Sequence, residues 1–354
     1  MRPIPLNFQT MYADLLQTVA LTEVAHGSIS VRKIKGKEYL YLTTKDGSKR
    51  RQISLGRADD ASAQAQANAV LESAEGAKGR RTTVSALKRA RIPSPALPLG
   101  RVLEVISNEG LFRQGVVLVG TAAYQTYPCL VGAYLPSSAL ATSDADLLVS
   151  SFVAREEPQD LEKILQRADP TFRALMSRDD KLPKVFRAAN NFQVDVLTEF
   201  GRHRKSPRLI GDLLCSAEAL RFMEYLGEES VEAVALYGAG VLVNLPPPMR
   251  YAIHKLLIAQ ERKTHSVKRA KDLKQAKDLI DVFMETDSEA FEDALEEARQ
   301  RGPKWKRNID ASLRDTRYDV RQPRHFSMAP GKKLKVKPRA AKLRQKQERR
   351  AARR

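Results

Sequence analysis

Cysteine is nearly absent: Cys129 and Cys215 are the only two in 354 residues. Two cysteines cannot build a disulfide framework or a Cys-rich zinc site, and they fit a reducing cytoplasmic setting. The five histidines show no metal-ligand spacing, and neither a P-loop nor a Gly-rich dinucleotide fingerprint appears. Long apolar runs are missing too. Nothing approaches the roughly 18 consecutive apolar residues of a membrane-spanning helix, and the first 25 residues lack the basic start and apolar stretch of a secretory signal. Acid is in short supply, with 42 Asp+Glu against 61 Lys+Arg and a net charge of +19. What is present in quantity is core material. Hydrophobic residues make up 42%, enough to exclude general disorder, and the length suits two or three domains of roughly 100–200 residues.

The positive charge is concentrated. Residues 331–354 hold twelve Lys/Arg and one acid, Glu348, which is more than half of the net charge. A segment this basic and this poor in apolar residues is expected to be disordered when free. Its natural partner is a polyanion, RNA more than DNA, bound by phosphate neutralisation; a solubilising tail is the alternative. No membrane partner is indicated.

Upstream, residues 10–26 show an approximate helical stripe through Met11, Leu15, Leu16, Val19 and Leu21. Residues 28–56 change to strand character, with turn chemistry at Lys35-Gly36-Lys37 and Asp46-Gly47-Ser48, and predict a three-stranded antiparallel meander. Its basic residues (Arg32, Lys33, Lys35, Lys37, Lys49, Arg50 and Arg51) with Tyr39 and Tyr41 suit either a ribbon that reads nucleic acid or a solvated face. Residues 58–91 read as helix interrupted near Gly76 and Gly79, and IPSPALPLG (92–100) reads as a linker.

The chemistry-bearing block follows. Residues 99–112 predict an amphipathic helix, and 115–120 a buried strand ending in Gly120-Thr121, from which a helix leads off. In ATSDADLLVS (141–150), Asp144 and Asp146 lie two apart on a strand, so both carboxylates share one face while Ala145 and Leu147 share the other. Neighbouring carboxylates repel unless a cation sits between them, and magnesium takes one or two carboxylates together with substrate phosphates. Asp195, between Val194 and Val196, is an acid inside an apolar strand. It is therefore paired, on an exposed edge, or a ligand.

In order, Gly120-Thr121, Asp144-x-Asp146 and Asp195 resemble the signature of the DNA polymerase β-like nucleotidyltransferase superfamily. The segments around His254-Lys255-Leu256 and Lys271-Asp272-Leu273 look like the paired C-terminal helices of abortive-infection-type nucleotidyltransferases, and most like a bacterial family described only by that fold. The likeness spans roughly residues 100–300. Two features depart from the pattern: the interval from Gly120 to Asp144 is long, and Thr121 replaces the commoner Ser.

The resemblance implies an α/β (α+β) fold. A mixed-sheet nucleotidyltransferase core (99–210) would be followed by a mainly helical C-terminal domain (211–320). A helix, β-meander and helix would precede it (1–95), and a basic disordered tail (329–354) would end the chain. The implied activity is transfer of a nucleotide from an NTP, ATP included, to an unknown acceptor with RNA favoured. Asp144, Asp146 and Asp195 would hold Mg²⁺ (or Mn²⁺) and act as the catalytic carboxylates. Gly120, Thr121, Lys255 and Asp272 would bind the nucleotide, the first two by helix N-terminal N–H groups. The plainer readings are a snorkelling surface Lys255 and an Asp272 paired with Lys268 one turn away. His254 reads as structural, and Tyr124 and Tyr127 as core. Two other functions fit: a non-catalytic nucleic-acid-binding protein on a degenerate core, and the toxin of a toxin–antitoxin pair.

The remainder predicts a basic connector at 201–211, then a helix and a hairpin about Gly238-Ala239-Gly240 within 212–246. Helices follow to about Ser312, including 288–301, with Trp305 as the anchor of the last.

Overall fold

The computed structural model describes residues 1–21, 28–34, 36–46, 49–139, 142–150, 157–176, 181–200 and 207–316. The basic tail, the turn residues Lys35, Gly47 and Ser48, and connector residues 201–206 lie outside this set.

The chain begins with β1 (Arg2–Pro3), α1 (Leu6–Leu21), β2 (Ser28–Ile34), β3 (Lys37–Asp46), β4 (Lys49–Arg57), α2 (Ala61–Arg89) and α3 (Leu97–Asn108). Next come β5 (Val117–Val119), α4 (Gly120–Val131), β6 (Ala133–Tyr134), β7 (Asp144–Leu148), α5 (Leu161–Ala168), β8 (Arg173–Leu175), β9 (Val185–Arg187) and β10 (Gln193–Glu199). The remainder is β11 (Arg208–Ile210), β12 (Cys215–Leu220), α6 (Met223–Gly227), β13 (Val231–Ala235), β14 (Val241–Leu245), α7 (Pro248–Ala259), α8 (Val267–Thr286), α9 (Ser288–Gln300) and α10 (Pro303–Asp315).

The central sheet is mixed. Its order is β11-β12-β10-β7-β5, with β9 added to β10 and β8 to β9. β10 runs parallel to β7 and β12, whereas β5 is antiparallel to β7. Val117, Leu118 and Val119 are all buried, as a central apolar run requires. The fold class expected from the sequence, a mixed α/β core with helices gathered toward the C-terminus, is the one observed.

The meander is present as β2-β3-β4, with a register shift at Leu40/Tyr41. The predicted break at Gly76–Gly79 is not: α2 runs unbroken for 29 residues. Each glycine costs about 1 kcal/mol in a helix, and packing at both ends outweighs that. Ala63 and Ala67 bury against Leu40. Val84 and Leu87 join a second core with Tyr12, Leu15, Val234 and Leu242, where α1 and α2 cover the β13–β14 hairpin. Tyr12 accepts a 2.8 Å hydrogen bond from the Val234 N–H, fixing α1 on that hairpin.

The stretch read as connector and helix is mostly strand. β11 and β12 pair antiparallel, and β12 joins β10, so that burial of Cys215, Ala217 and Ala219 in the sheet overrides the high helix propensity of the two alanines. Among the described residues of this stretch, the α-helix is short α6, and a 3-10 turn spans Gly211–Leu213. Trp305, on α10, meets Phe222 and Tyr225 edge-on at 5.0 and 5.3 Å and seats that helix.

Candidate active site at the end of the sheet

The parallel ladder between β7 and β10 sets Asp146 directly beside Asp195, and Asp144 beside Gln193. The antiparallel ladder sets Val119 against Asp146. Pleating therefore turns Asp144, Asp146 and Asp195 to one face, while Ala145, Leu147, Val194 and Val196 are buried on the other. Gly120 follows Val119 and opens α4. Its φ is +66°, and a Cβ added there would lie 2.0 Å from Asp146 Oδ2. That close approach needs glycine, and it lodges the carboxylate against the first turn of α4, where orphan N–H groups favour anions. Thr121 is buried beside it.

The acids are not relaxed. The Asp146 pKa is pushed up to about 6, by burial first and then by Asp144 and Asp195, with Lys255 and Lys268 opposing. Burial also raises Asp195, the Gln193 amide opposes it, and Asp144 adds to the rise. Part of the charge is held locally. Gln193 Nε2 donates to both Asp195 oxygens at 2.9 and 2.8 Å, and Arg187 holds the Gln193 carbonyl oxygen at 2.7 Å. The Thr142 hydroxyl donates to Asp144. With the carboxylates turned to these partners, no group of three or more His, Cys, Asp or Glu among the described residues is assembled as a metal-holding set. The donor chemistry nonetheless suits a hard divalent cation: carboxylate oxygens in adjacent ladder positions whose mutual repulsion a cation would relieve.

A cationic wall faces the acids. Lys255, on α7, is buried and donates to Asp272 Oδ1 at 2.8 Å, and Arg262 takes the other oxygen. Asp272 is only 3% exposed. It is not a surface partner of Lys268; it is the buried centre of an ion triad that fixes Lys255. Burial, and then Lys255, hold Lys271 below the usual lysine range, while Asp144, Asp272 and Asp146 pull it upward. Lys268 and Lys271 thus join Lys255 opposite the acids, in successive turns of α8.

Tyrosines link the two halves. The Tyr251 hydroxyl donates to the Gly120 carbonyl at 2.8 Å, and the Lys255 ammonium sits 5.2 Å above the Tyr251 ring. Tyr124 and Tyr127 are fully buried and pack on Tyr251. They are core residues. Tyr124 also donates to Asp278 at 2.8 Å, which ties α4 to α8. His254 is buried with neither ring nitrogen hydrogen-bonded, and burial lowers its pKa to about 3.

The sequence reading singled out Gly120, Thr121, Asp144, Asp146, Asp195, Lys255 and Asp272. The structure gathers these around one end of the sheet and the start of α4. Gln193, Arg187, Lys268, Lys271 and Tyr251 were missed. Gln193 alone had a legible signal, sitting two residues before Asp195 on the same strand face.

A family profile described as nucleotidyltransferase matches residues 98–300, over half of the chain. The protein belongs to the nucleotidyltransferase family. No curated protein matches it. It is similar to an antigenic nucleotidyltransferase-like protein from Paracoccidioides brasiliensis at 17% identity, over 62% of this chain and 95% of that one, with a TM-score of 0.31. A likeness that slight carries no argument about the site.

Proposed function

We propose that the protein transfers a nucleotide from an NTP, ATP included, to a hydroxyl of an acceptor, with RNA favoured, and that Asp144, Asp146 and Asp195 hold Mg²⁺ or Mn²⁺ for that reaction. The observation that carries this reading is the crowding of three like charges beside the N-terminus of α4, opposite Lys255, Lys268 and Lys271. Crowded acids facing a row of lysines invite a ligand that carries both signs, as a metal–triphosphate does. When bound, the metal supplies charge neutralisation at the phosphates and a lowered pKa for the attacking hydroxyl.

The chain's own groups do the rest. The first turn of α4, at Gly120 and Thr121, offers N–H groups to phosphate oxygens. Lys255, braced by Asp272 and stacked on Tyr251, presents a fixed positive charge, with Lys268 and Lys271 beside it. Asp272 acts on the nucleotide through Lys255, since both its oxygens are engaged. Gln193 orients Asp195. The α7–α8 pair supports kinship with the abortive-infection type, and two unbridged cysteines support a cytoplasmic setting.

Incubation of the protein with each α-labelled NTP, magnesium and total cellular RNA tests this. Label should enter RNA with one or more NTPs and disappear in Asp146→Ala. Incorporation that persists at wild-type level in that variant, or its absence with every NTP, counts against transfer. One observation favours a second reading, a nucleic-acid-binding protein without catalysis: Asp144 and Asp195 are already engaged by Thr142 and Gln193. Magnesium-independent RNA binding with no labelled product would select it.

A further inference from the structure

The longest acid-free basic stretch in the described chain lies away from the acids. Residues 76–103 contain seven Lys/Arg and no Asp or Glu. Most belong to the second half of α2, where Val84 and Leu87 bury against the β13–β14 hairpin and leave Arg81, Ser85, Lys88 and Arg89 exposed. These four side chains, the buried Val84 and Gly238 line an open groove of about 340 Å³. Arg81 also borders the adjoining cavity of about 110 Å³, where Arg80 and Arg113 add positive charge and Glu104 is the single acid among the described lining residues. Opposite the arginines the wall is the hairpin turn, where Gly238 and Gly240, at φ +58° and +91°, offer backbone without side chains.

Three observations mark this as a surface for a ligand. Among the described residues, Arg81, Lys88 and Arg89 form no ion pair with any carboxylate. These three cations therefore share one face without a carboxylate partner of their own. No large apolar side chain of residues 76–91 is exposed, so the groove lacks the apolar anchor a protein partner would need. The helix also ends on a strained cationic residue. The Arg91 N–H bonds to the Lys88 carbonyl and the Ile92 N–H to that of Leu87, which closes the helix with Arg91 at φ +62°, a position where glycine is usual. That geometry extends the basic edge past the end of α2.

We infer that the groove between the second half of α2 and the 238–242 turn is a docking track for the phosphate backbone of a nucleic acid. The exposed groups are Arg and Lys with one serine and no aromatic ring, so they read phosphates and not bases. Binding is then independent of sequence and steep in salt. The inference concerns binding alone and stands apart from nucleotide transfer.

The test uses the full chain and the triple variant Arg81→Glu/Lys88→Glu/Arg89→Glu, with fluorescein-labelled RNA 25-mers of two unrelated sequences followed by anisotropy across a salt series. The wild type should bind both RNAs alike. The variant should lose about tenfold or more in affinity, and its log K against log salt slope should fall by roughly 2 to 2.7 units, three contacts at 0.7 to 0.9 each. All three side chains are exposed, so the melting temperature should hold, and NTP binding at Asp144, Asp146 and Asp195, none of which borders the groove, should be unchanged. Because both proteins carry the tail, its contribution cancels in the difference. An unchanged slope and affinity in the variant, or no RNA binding by the wild type, overturns the inference. So does polyglutamate that binds as tightly as RNA and is lost in the same variant, since that would make the groove an acidic-polypeptide surface.

Discussion

Two ionic centres sit side by side in this protein and are built on opposite plans. On β7 and β10, Asp144, Asp146 and Asp195 share one face, the neighbouring acids add to the raised pKa of Asp146, and among the described residues Gln193 and Thr142 donate to the cluster through side chains. Between α7 and α8, Asp272 is buried but both its oxygens are matched, one by Lys255 and one by Arg262. The first centre stores unbalanced charge; the second spends its charge internally. An unbalanced cluster is ready for a ligand, whereas a balanced one fixes geometry. The Tyr251 hydroxyl on the Gly120 carbonyl couples them, so the braced centre holds the turn against which the unbraced one lies.

Breaking each centre should therefore fail in opposite directions. The largest effect is expected at the acids. Asp146→Ala should lower nucleotide incorporation by about a thousandfold or more, in the range of losses seen when a preorganised electrostatic group is removed, while the thermal melt of the metal-free protein holds or rises. A labelled-NTP assay paired with a melt reads both. At the braced centre the sign inverts. Lys255→Met leaves Asp272 with Arg262 alone in a buried site and should cost on the order of 3 kcal/mol of stability, read by urea denaturation. A variant as stable as wild type would mean that the triad does not hold α7 to α8.

Gly120→Ala tests the link between the two. The new Cβ collides with the Asp146 carboxylate, and the left-handed backbone adds about 1–2 kcal/mol of strain. Activity should drop by more than the loss of stability accounts for, a split visible by comparing turnover at a temperature where the variant remains folded.

The effect at His254 is silent at neutral pH and emerges only in acid. Burial holds it near pKa 3, against an ordinary value of 6.5. Below pH 6.5 the unfolded chain takes up a proton that the folded chain refuses, so stability should fall as pH drops from 6.5 toward 3, by up to about 1.4 kcal/mol per pH unit. The difference between wild type and His254→Phe, measured by denaturation at several pH values, isolates that slope.

How much of this was legible in the sequence depended on the range of the signal. The β5–Gly120–α4 turn and the Asp144-x-Asp146 pair were readable because period-2 alternation and a glycine after an apolar run are local patterns. Asp195 was readable as an oddity, an acid among valines. The continuity of α2 was not, because Gly76 and Gly79 argue for a break and the packing that overrules them comes from Leu40 at one end and the β13–β14 hairpin at the other. Likewise, Asp272 looked like a helix-surface residue until α7 covered it and supplied Lys255 at a separation of 17 residues. Lys268 and Lys271 were two basic residues among many, and only the placement of α8 gives them a role.

The proposal that Asp144, Asp146 and Asp195 hold a divalent cation meets its most direct test in a thermal melt across a magnesium titration. The metal-free Asp146→Asn variant should melt at or above metal-free wild type, since one repelling charge is gone. Magnesium should raise the wild-type melting temperature in a saturable way and leave that of the variant nearly unmoved. A wild-type melt indifferent to magnesium, or an equal shift in both proteins, would contradict the account.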